Sequence, residues 1–401
     1  MIDTAMSRDQ YYAPPAFSAS SQPRLNVWQV GFFLFLIWLL AIPLLLPLFT
    51  RQISCGFDTA FHLWRAVQAG ALLDEGILFS GWAPHMAHGY GYPLFMYQSP
   101  LSAQVTAVFH HLSLSWPVAL NLVYALGILA SGWTMWWLAR TFFGDWGGLV
   151  AAVAYLYAPF HAYVAFYRAS LSETVAWSLP PLVLWGLYRW QKDRTAWGLG
   201  TAVFSFILLV YTHDVTAYMF LPLFVGWIGL WTMGFFDRLN AGRSWHTFWQ
   251  GGLALLLGLG GSAFFWLPAI FERSAIQFER ANSAWPFLYT NNFLPLNQLL
   301  ALPRNADPSL LNDWPPRALG LLLLVVALAG AGLAWRGATR QRWLVGFLLL
   351  GLGGYLFLTV RGSEWVWTAV PQLAAFQFPW RFLAPASLIA AFLCGGISGT
   401  W

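Results

Sequence analysis

Apolar runs of about 20 residues recur along the whole chain, and this feature constrains the fold more than any other because a helix of that length crosses a hydrocarbon core. In lipid every backbone amide has to be paired within the spanning structure, and long runs without alternation favour helices over barrel strands. Only 9% of the 401 residues are charged. Soluble domains contain about a quarter. The sequence therefore predicts an all-α fold, a polytopic transmembrane helical bundle.

The apolar runs predict about ten membrane spans, and one polar region precedes them at the N-terminus. Residues 1–26 are polar and predict a disordered cytoplasmic tail, which leaves 27–401 as the transmembrane domain. The first run is too long for the apolar region of a cleavable signal, so we expect it to stay as an anchor. The predicted spans are 28–49, 116–138, 147–166, 174–188, 196–212, 215–236, 249–271, 318–335, 343–360 and 382–400.

Charge placement predicts the orientation of these spans. Short connections rich in Arg and Lys lie on the cytoplasmic side of membrane proteins, which here places the N-terminus in the cytoplasm. The long loops 50–115, 272–317 and 361–381 are then extracytoplasmic. Acids contribute little to topology, so their gathering on this side favours a site there, although longer loops also simply hold more polar residues. Ten of the 15 acids are predicted outside: Asp58, Asp74, Glu75, Glu173, Asp214, Glu272, Glu279, Asp307, Asp313 and Glu364.

The first extracytoplasmic loop, 50–115, contains the strongest chemical pattern. Asp58, His62 and Arg65 stand at i, i+4 and i+7 of a predicted helix and so share one face. One interpretation makes Asp58 only the N-cap of that helix. The other makes it a base or metal ligand beside a cation that binds a phosphate-bearing lipid. The apolar segment 100–112 is too short to span, which indicates a juxtamembrane or re-entrant helix.

Between these helices lies a turn-rich segment with aromatic rings, and it contains His85, His88 and Tyr92. Such rings can stack on a sugar or sit at the membrane interface, and the sequence leaves both open. His85 and His88 are too close in sequence for the i, i+4 pair of a helical zinc site, which argues against a metal there. We therefore predict substrate-binding roles for His88 and Tyr92.

Other candidate residues stand at the outer ends of later spans. Glu173 follows Arg168 and either stabilises a helix N-terminus or takes part in catalysis. His213 and Asp214 occupy a tight turn between two spans, where they either cap helices or face the same cavity as Asp58. Arg168 and Arg381 suit bidentate contact with a phosphate or with a lipid headgroup.

The second long extracytoplasmic loop, 272–317, combines aromatic rings with amide side chains. Trp285, Tyr289 and Asn297 are examples. This loop either closes over an acceptor molecule or acts as a structural cap, and the sequence does not decide between the two.

A family resemblance accompanies these patterns. The segments Gly56-Phe-Asp58, His62, Arg65 and His88-Gly-Tyr-Gly-Tyr-Pro93 resemble bacterial membrane proteins described as 6-pyruvoyl-tetrahydropterin synthase-related, which in turn resemble GT-C class glycosyltransferases. The resemblance extends more loosely to residues 168–173 and 378–382 and so covers most of the chain. It implies that Asp58 is the acid of the first outer loop that serves the active site. Asp58 is not part of an Asp-x-Asp pair, which leaves dependence on a divalent cation open.

The function that follows as an expectation is transfer of a sugar from a polyprenyl-phosphate donor on the extracytoplasmic face of a bacterial inner membrane. Asp58, His62 and Glu173 are the predicted catalytic residues. The predicted partners are the polyprenyl-phosphate-linked sugar and membrane lipid; with a single lysine and no basic patch, nucleic acid is excluded. A transporter or lipid flippase is the alternative function. The predicted substrate-binding residues are Arg65, His88, Tyr92, Arg168, His213, Asp214 and Arg381.

Overall fold

The computed structural model describes residues 26–232, 244–277, 284–304, 309 and 315–398. Within these ranges the regular secondary structure is helical, with two isolated bridges, Ala83 to Tyr92 and Leu294 to Val360, and the all-α prediction is confirmed. The predicted disordered tail, residues 1–26, lies outside the described residues except for Asn26. That residue caps the first helix, its side chain accepting a hydrogen bond from the Trp28 amide at 3.1 Å.

The first part of the chain forms the first apolar helix, the helices of loop 50–115 and a long interrupted helix. The helix predicted after Asp58 is present as Thr59–Asp74, and the short helix predicted within 100–112 is present as Leu101–His111. Their position relative to a membrane stays a prediction. The helices are α1 Val27–Leu45, α2 Thr59–Asp74, α3 Leu94–Tyr97, α4 Leu101–His111 and α5 Trp116–Leu156.

The helix α5 folds back on itself at Gly144, where the backbone has φ 70° and ψ 178°. Glycine can adopt these dihedral angles because it has no Cβ atom. The indole nitrogen of Trp136 donates to the carbonyl of Asp145 at 3.1 Å, and a Cβ added to Gly132 would lie 2.9 Å from Leu156. The two arms are therefore antiparallel; the first contains the predicted run 116–138, whereas the second covers the predicted run 147–166 only up to Leu156, where α5 ends.

The central part of the chain forms shorter helices joined by tight connections. A π-helical turn, Tyr163–Arg168, separates α6 from α7, and α9 is joined to α10 through His213 alone. The predicted span 174–188 is interrupted, because α7 ends at Ala176 and α8 begins at Leu179. The helices are α6 Pro159–Ala162, α7 Leu171–Ala176, α8 Leu179–Asp193, α9 Ala196–Thr212, α10 Asp214–Thr232, α11 Ser244–Gly261 and α12 Ala263–Phe271.

The last part of the chain builds the centre of the bundle. All twelve residues of the final helix are buried, and it packs against α5 and the two apolar helices that precede it. A helix that is apolar on every side either faces lipid or is enclosed by other helices, and the full burial of this one shows that it is enclosed. The helices are α13 Leu296–Leu299, α14 Leu321–Trp335, α15 Thr339–Thr359, α16 Glu364–Ala369 and α17 Leu383–Cys394.

Five helices in the described ranges are long and apolar enough to cross a membrane, or six if α11 and α12, bent by 69° at their junction, form one broken span. The shorter helices α9 and α14 are also apolar. The multi-pass class is thus confirmed, and the number of ten spans stays a prediction. The five candidates are Val27–Leu48, Trp116–Leu156, Asp214–Thr232, Gln341–Thr359 and Pro379–Ser398.

Candidate active site

The segment that leads into α2 is attached to the end of the π-helical turn. The backbone amides of Phe57 and Asp58 donate to the carbonyls of Tyr167 at 3.0 Å and Arg168 at 2.8 Å. Gly56 makes this approach sterically allowed, because a Cβ there would lie 2.1 Å from the Cβ of Ala169. A π-helical turn is uncommon and is often found at functional sites. Here it brings residues 56–58 and 167–169 together.

The carboxylate of Asp58 faces a guanidinium and does not cap its own helix. Asp58 occupies the N-cap position of α2, but its side chain makes no capping hydrogen bond. Instead Oδ2 lies 3.3 Å from Nε of Arg168, whose Nη1 binds Oε2 of Glu173. Of the two interpretations of Asp58 left open by the sequence, the geometry favours the one in which the carboxylate faces a cation.

The face of α2 that follows Asp58 turns two more polar side chains inward. His62 and Arg65 are buried, at 5% and 3% exposure. Arg65 donates through Nη2 to the carbonyl of Ser99 at 2.5 Å and through Nη1 to the hydroxyl of Ser172 at 3.4 Å. The shared face predicted from the i, i+4, i+7 spacing is therefore present.

The junction between α9 and α10 faces the same space. Nδ1 of His213 lies 2.7 Å from the hydroxyl of Thr216, and the Asp214 amide donates to the hydroxyl of Ser99 at 3.1 Å. The Ser99 hydroxyl donates to the carbonyl of Val210 at 3.0 Å. Ser99 thereby connects Arg65 on α2 to this junction.

Arg381 reaches the site from the turn that precedes the central helix α17. It is 7% exposed, its Nη1 donates to the carbonyl of Phe376 at 3.0 Å, and its guanidinium lies 4.9 Å from the ring centre of Phe378. Its Nε is buried and has no hydrogen-bond partner among the described atoms. The same holds for Nε of Arg65. Each guanidinium therefore has a buried N–H group that no described protein atom satisfies.

These groups line one cavity of about 1310 Å³. Its walls come from segments that were predicted to be extracytoplasmic loops or the ends of spans beside those loops. Glu173 lies behind the wall with no exposed surface, so the geometry does not bring it into contact with a substrate. The predicted site residues that line the cavity are Asp58, His62, Arg65, Arg168, His213, Asp214 and Arg381.

Two predicted substrate-binding residues are not part of this wall. His88 is exposed in a turn with φ 58°, and Tyr92 pairs with Ala83 through backbone hydrogen bonds of 2.7 and 3.0 Å. Gly91 packs against the indole of Trp82. Contact of His88 or Tyr92 with a substrate in the cavity is not supported by the geometry, because the turn is closed by its own local contacts.

Several residues of the wall were not singled out as site residues from the sequence. Arg317 donates through Nε to the hydroxyl of Tyr163 at 3.1 Å. The indole of Trp380 lies between two cations, 5.0 Å from the guanidinium of Arg317 and 5.4 Å from that of Arg168. The signal for Arg317 in the sequence is weak, because it is a single basic residue at the end of loop 272–317. Loop 272–317 also contributes Trp285, Pro286, Phe287, Asn291 and Asn292.

Burial controls the protonation of the groups in the wall. It raises the pKa of Asp58, and nearby Glu173 raises it too, whereas Arg168 and Arg381 lower it. Burial, together with Arg65 and Arg168, holds the pKa of His62 well below its usual value. The pKa of His213 is lowered in the same way by burial and then by Arg381. Both imidazoles are therefore neutral at neutral pH, and the positive charge of the cavity comes from arginine.

The surroundings of Asp58 do not fit a divalent cation. The residues that the structure describes contain no group of three or more His, Cys, Asp or Glu side chains that could hold a metal ion. The nearest charged neighbour of Asp58 is the guanidinium of Arg168, which would repel a cation. We assign no metal ligand and derive no step through a metal.

The fold is similar to that of two solved structures of ArnT from Cupriavidus metallidurans, a GT-C glycosyltransferase. The structure bound to undecaprenyl phosphate has a TM-score of 0.57 and 15% identity, covering 93% of this chain and 60% of ArnT. The apo structure has a TM-score of 0.55 and 14% identity, covering 92% and 59%. This chain thus spans about 60% of the length of ArnT, and the likeness shows the fold.

The comparisons support the GT-C part of the resemblance at the level of the fold, and the 6-pyruvoyl-tetrahydropterin synthase-related part stays a prediction. A scan against protein-family models gave no match, and neither did a search of curated proteins.

Proposed function

We propose that this chain is a membrane glycosyltransferase that takes a sugar from a polyprenyl-phosphate donor and transfers it on the extracytoplasmic face. The observation that carries the proposal is the cavity in which the Asp58 carboxylate, with its pKa raised by burial, lies among buried arginines. A carboxylate can take a proton from an acceptor hydroxyl, and arginines can hold a phosphate. The likeness to an ArnT structure bound to undecaprenyl phosphate supports the same class of lipid.

Arg65 and Arg381, which line the cavity, are the residues we assign to the phosphate. In the described contacts both side chains donate to carbonyl or hydroxyl oxygens, so their positive charge can act on a phosphate. Arg168 was predicted for this role as well, but it already contacts the carboxylates of Asp58 and Glu173. Its task in the proposal is to orient Asp58.

The proposed chemical step is a displacement at the anomeric carbon of the donor sugar. The acceptor oxygen forms a bond to that carbon while the bond to the phosphate oxygen breaks, and the phosphate leaves with the electron pair. The proton of the acceptor hydroxyl moves to Asp58. Arg65 and Arg381 stabilise the charge that develops on the leaving phosphate. The neutral imidazole of His62, one turn along α2, can hold the acceptor hydroxyl by a hydrogen bond.

The alternative of a transporter or flippase finds no specific support in the geometry. Transporters bind their substrates at discontinuous helices. The bent pair α11 and α12 breaks at Ser262, and no residue of that break lines the cavity. The interrupted segment α6 to α7 does contribute Arg168 and Ser172 to the cavity, so the observation that favours transfer is the Asp58 carboxylate beside the arginines.

The first prediction concerns Asp58. Replacing it with asparagine (Asp58→Asn) in the purified protein removes the proton acceptor, and we expect transfer of a labelled sugar from a polyprenyl-phosphate donor to fall at least about 100-fold, the usual contribution of a general base. The helical content should stay unchanged. Asp74→Asn is the matched control, because Asp74 lies in the same loop and outside the cavity. Transfer by Asp58→Asn at the wild-type rate would remove Asp58 from the mechanism.

A further inference from the structure

The guanidinium of Arg168 is shared unequally between two acids. Its Nη1 makes a close contact with Oε2 of Glu173, whereas its Nε lies 3.3 Å from Oδ2 of Asp58. Glu173 is fully buried, and Asp58 keeps 26% of its side-chain surface exposed on the cavity side. Charge-assisted hydrogen bonds weaken as they lengthen. The stronger contact therefore belongs to the acid that cannot reach a substrate.

Glu173 is held in place by its own helix and by the turn that carries Arg168. It stands in the first turn of α7, and its backbone is part of that helix. Its second oxygen, Oε1, is buried and has no partner among the described atoms. An unpaired buried oxygen has a desolvation cost, which the ion pair with Arg168 has to offset. The contact with Arg168 is therefore the described interaction that offsets part of the cost of burying this carboxylate.

We propose that Glu173 is a positioning residue that retains the Arg168 guanidinium, so that Asp58 keeps a weak contact with it and stays able to accept a proton. The inference rests on the proposed function and assigns to Glu173 a role other than direct catalysis. A single arginine fully paired with Asp58 would hold that carboxylate ionised and weakly basic. The negative charge of Glu173 has the opposite effect, because it raises the pKa of Asp58.

The test is the pH dependence of the transfer rate in Glu173→Gln. Without the charge of Glu173, Arg168 interacts with Asp58 alone, and the carboxylate becomes a weaker base. Since Asp58 has to be ionised to accept a proton, the acid limb of the pH–rate profile should move to lower pH by about one unit. The plateau rate should fall by less than about tenfold for that one-unit shift, because a weaker base transfers protons less effectively.

A structural role alone gives a different result. If Glu173 only supported the fold, Glu173→Gln would lower the rate at every pH without moving the acid limb, and this outcome overturns the inference. Glu173→Asp keeps the charge but withdraws it from Arg168, so it should move the limb in the same direction by a smaller amount. This second variant decides the question if Glu173→Gln does not fold.

Glu364→Gln is the matched control. Glu364 forms an exposed pair with Arg361, Nε to Oε2 at 3.4 Å, and lies outside the cavity. Its profile should superimpose on that of the wild type, and a shifted limb in this variant would also count against the inference. Failure of the proposed function is recognised separately, as an absence of transfer by the wild type itself.

Discussion

Four arginines among the described residues face the cavity, and they differ in what they already bind. Arg168 contacts two carboxylates, whereas Arg65 and Arg381 donate to carbonyl or hydroxyl oxygens. Arg317 donates to a phenol hydroxyl and faces an indole. An ion pair satisfies a guanidinium electrostatically, while a carbonyl leaves its charge uncompensated. The positive potential available to an anionic ligand therefore comes mainly from Arg65 and Arg381.

The protonation of His62 leads to a prediction about the pH dependence of stability. Its pKa in the folded protein is well below 6.5, whereas in the unfolded chain it takes up a proton near 6.5. The stability that it contributes is thus complete above pH 6.5 and is lost as the pH falls below that value, with a slope of up to about 1.4 kcal/mol per pH unit. We expect the unfolding midpoint of His62→Asn to depend less on pH between 7 and 5 than that of the wild type.

The control for this measurement is His88→Asn, because His88 is exposed and asparagine tolerates its positive φ. The pKa of Asp58 is raised by burial, which produces a dependence of the opposite sign. That contribution is common to the wild type and both variants, so it cancels in the differences. Equal pH dependence in the wild type and His62→Asn would contradict the assignment of a neutral buried imidazole.

At the scale of elements, the π-helical turn and the start of α2 form one unit. Two backbone hydrogen bonds join residues 57 and 58 to residues 167 and 168. Ala169 has φ 54°, and its carbonyl accepts a hydrogen bond from the hydroxyl of Tyr124 on α5. The first loop is therefore anchored to the bundle at the point where its catalytic candidate stands. This attachment is the reason that a loop residue can occupy a defined position in the cavity.

Gly56→Ala tests this attachment. The added methyl group would meet Ala169 at 2.1 Å and the Thr59 hydroxyl at 2.9 Å, so the segment has to move away from the π-helical turn. We expect a loss of about 1–3 kcal/mol in the free energy of unfolding, as for other overpacked sites. A displacement of about 1 Å at Asp58 should reduce transfer about 100-fold.

Gly200→Ala is the matched substitution, because a Cβ at Gly200 in α9 has no neighbour within 4 Å. It should leave transfer unchanged, and the free energy of unfolding should stay equal or rise slightly, since alanine favours helix more than glycine does. Wild-type transfer and stability in Gly56→Ala would show that residues 56–58 are free to move without consequence.

At the scale of the whole molecule, the cavity lies at one end of the bundle, at the start of the enclosed helix α17. The turn with Arg381 precedes α17, and the π-helical turn and the α9–α10 junction close the cavity from other sides. Movement of a buried helix requires repacking of its neighbours, because interiors are close-packed. A ligand that contacts several of these segments should therefore stabilise the bundle as a unit.

The thermal unfolding of the protein with undecaprenyl phosphate tests this expectation. A ligand that binds only the folded state stabilises it by about 2.7 kcal/mol at 100 times its dissociation constant. We expect the thermal unfolding midpoint of the detergent-solubilised protein to rise with undecaprenyl phosphate and to rise less with undecaprenol, which lacks the phosphate. The additional rise should be lost in Arg381→Gln and kept in Arg361→Gln, since Arg361 is exposed and outside the cavity. The same shift in both variants would exclude Arg381 from phosphate binding.

Composition and local periodicity by themselves determined the class of this protein. Apolar runs identified a helical membrane protein, and the i, i+4, i+7 spacing placed Asp58, His62 and Arg65 on one face of a helix that the structure contains. These properties are local, since they depend on residues within a few turns of each other. The order of spans and loops also predicts that the candidate groups lie on one side of the membrane, and this sidedness stays a prediction.

Only the tertiary structure decided which groups meet. Arg65 contacts Ser172, 107 positions away, and Arg168 takes both Asp58 and Glu173 as partners. It also decided that Glu173 lies behind the cavity wall and that the turn with His88 lies apart from it. Contacts between distant segments depend on how whole helices pack and on where a glycine or a π-helical turn lets two backbones approach. No local pattern in the sequence contains that information.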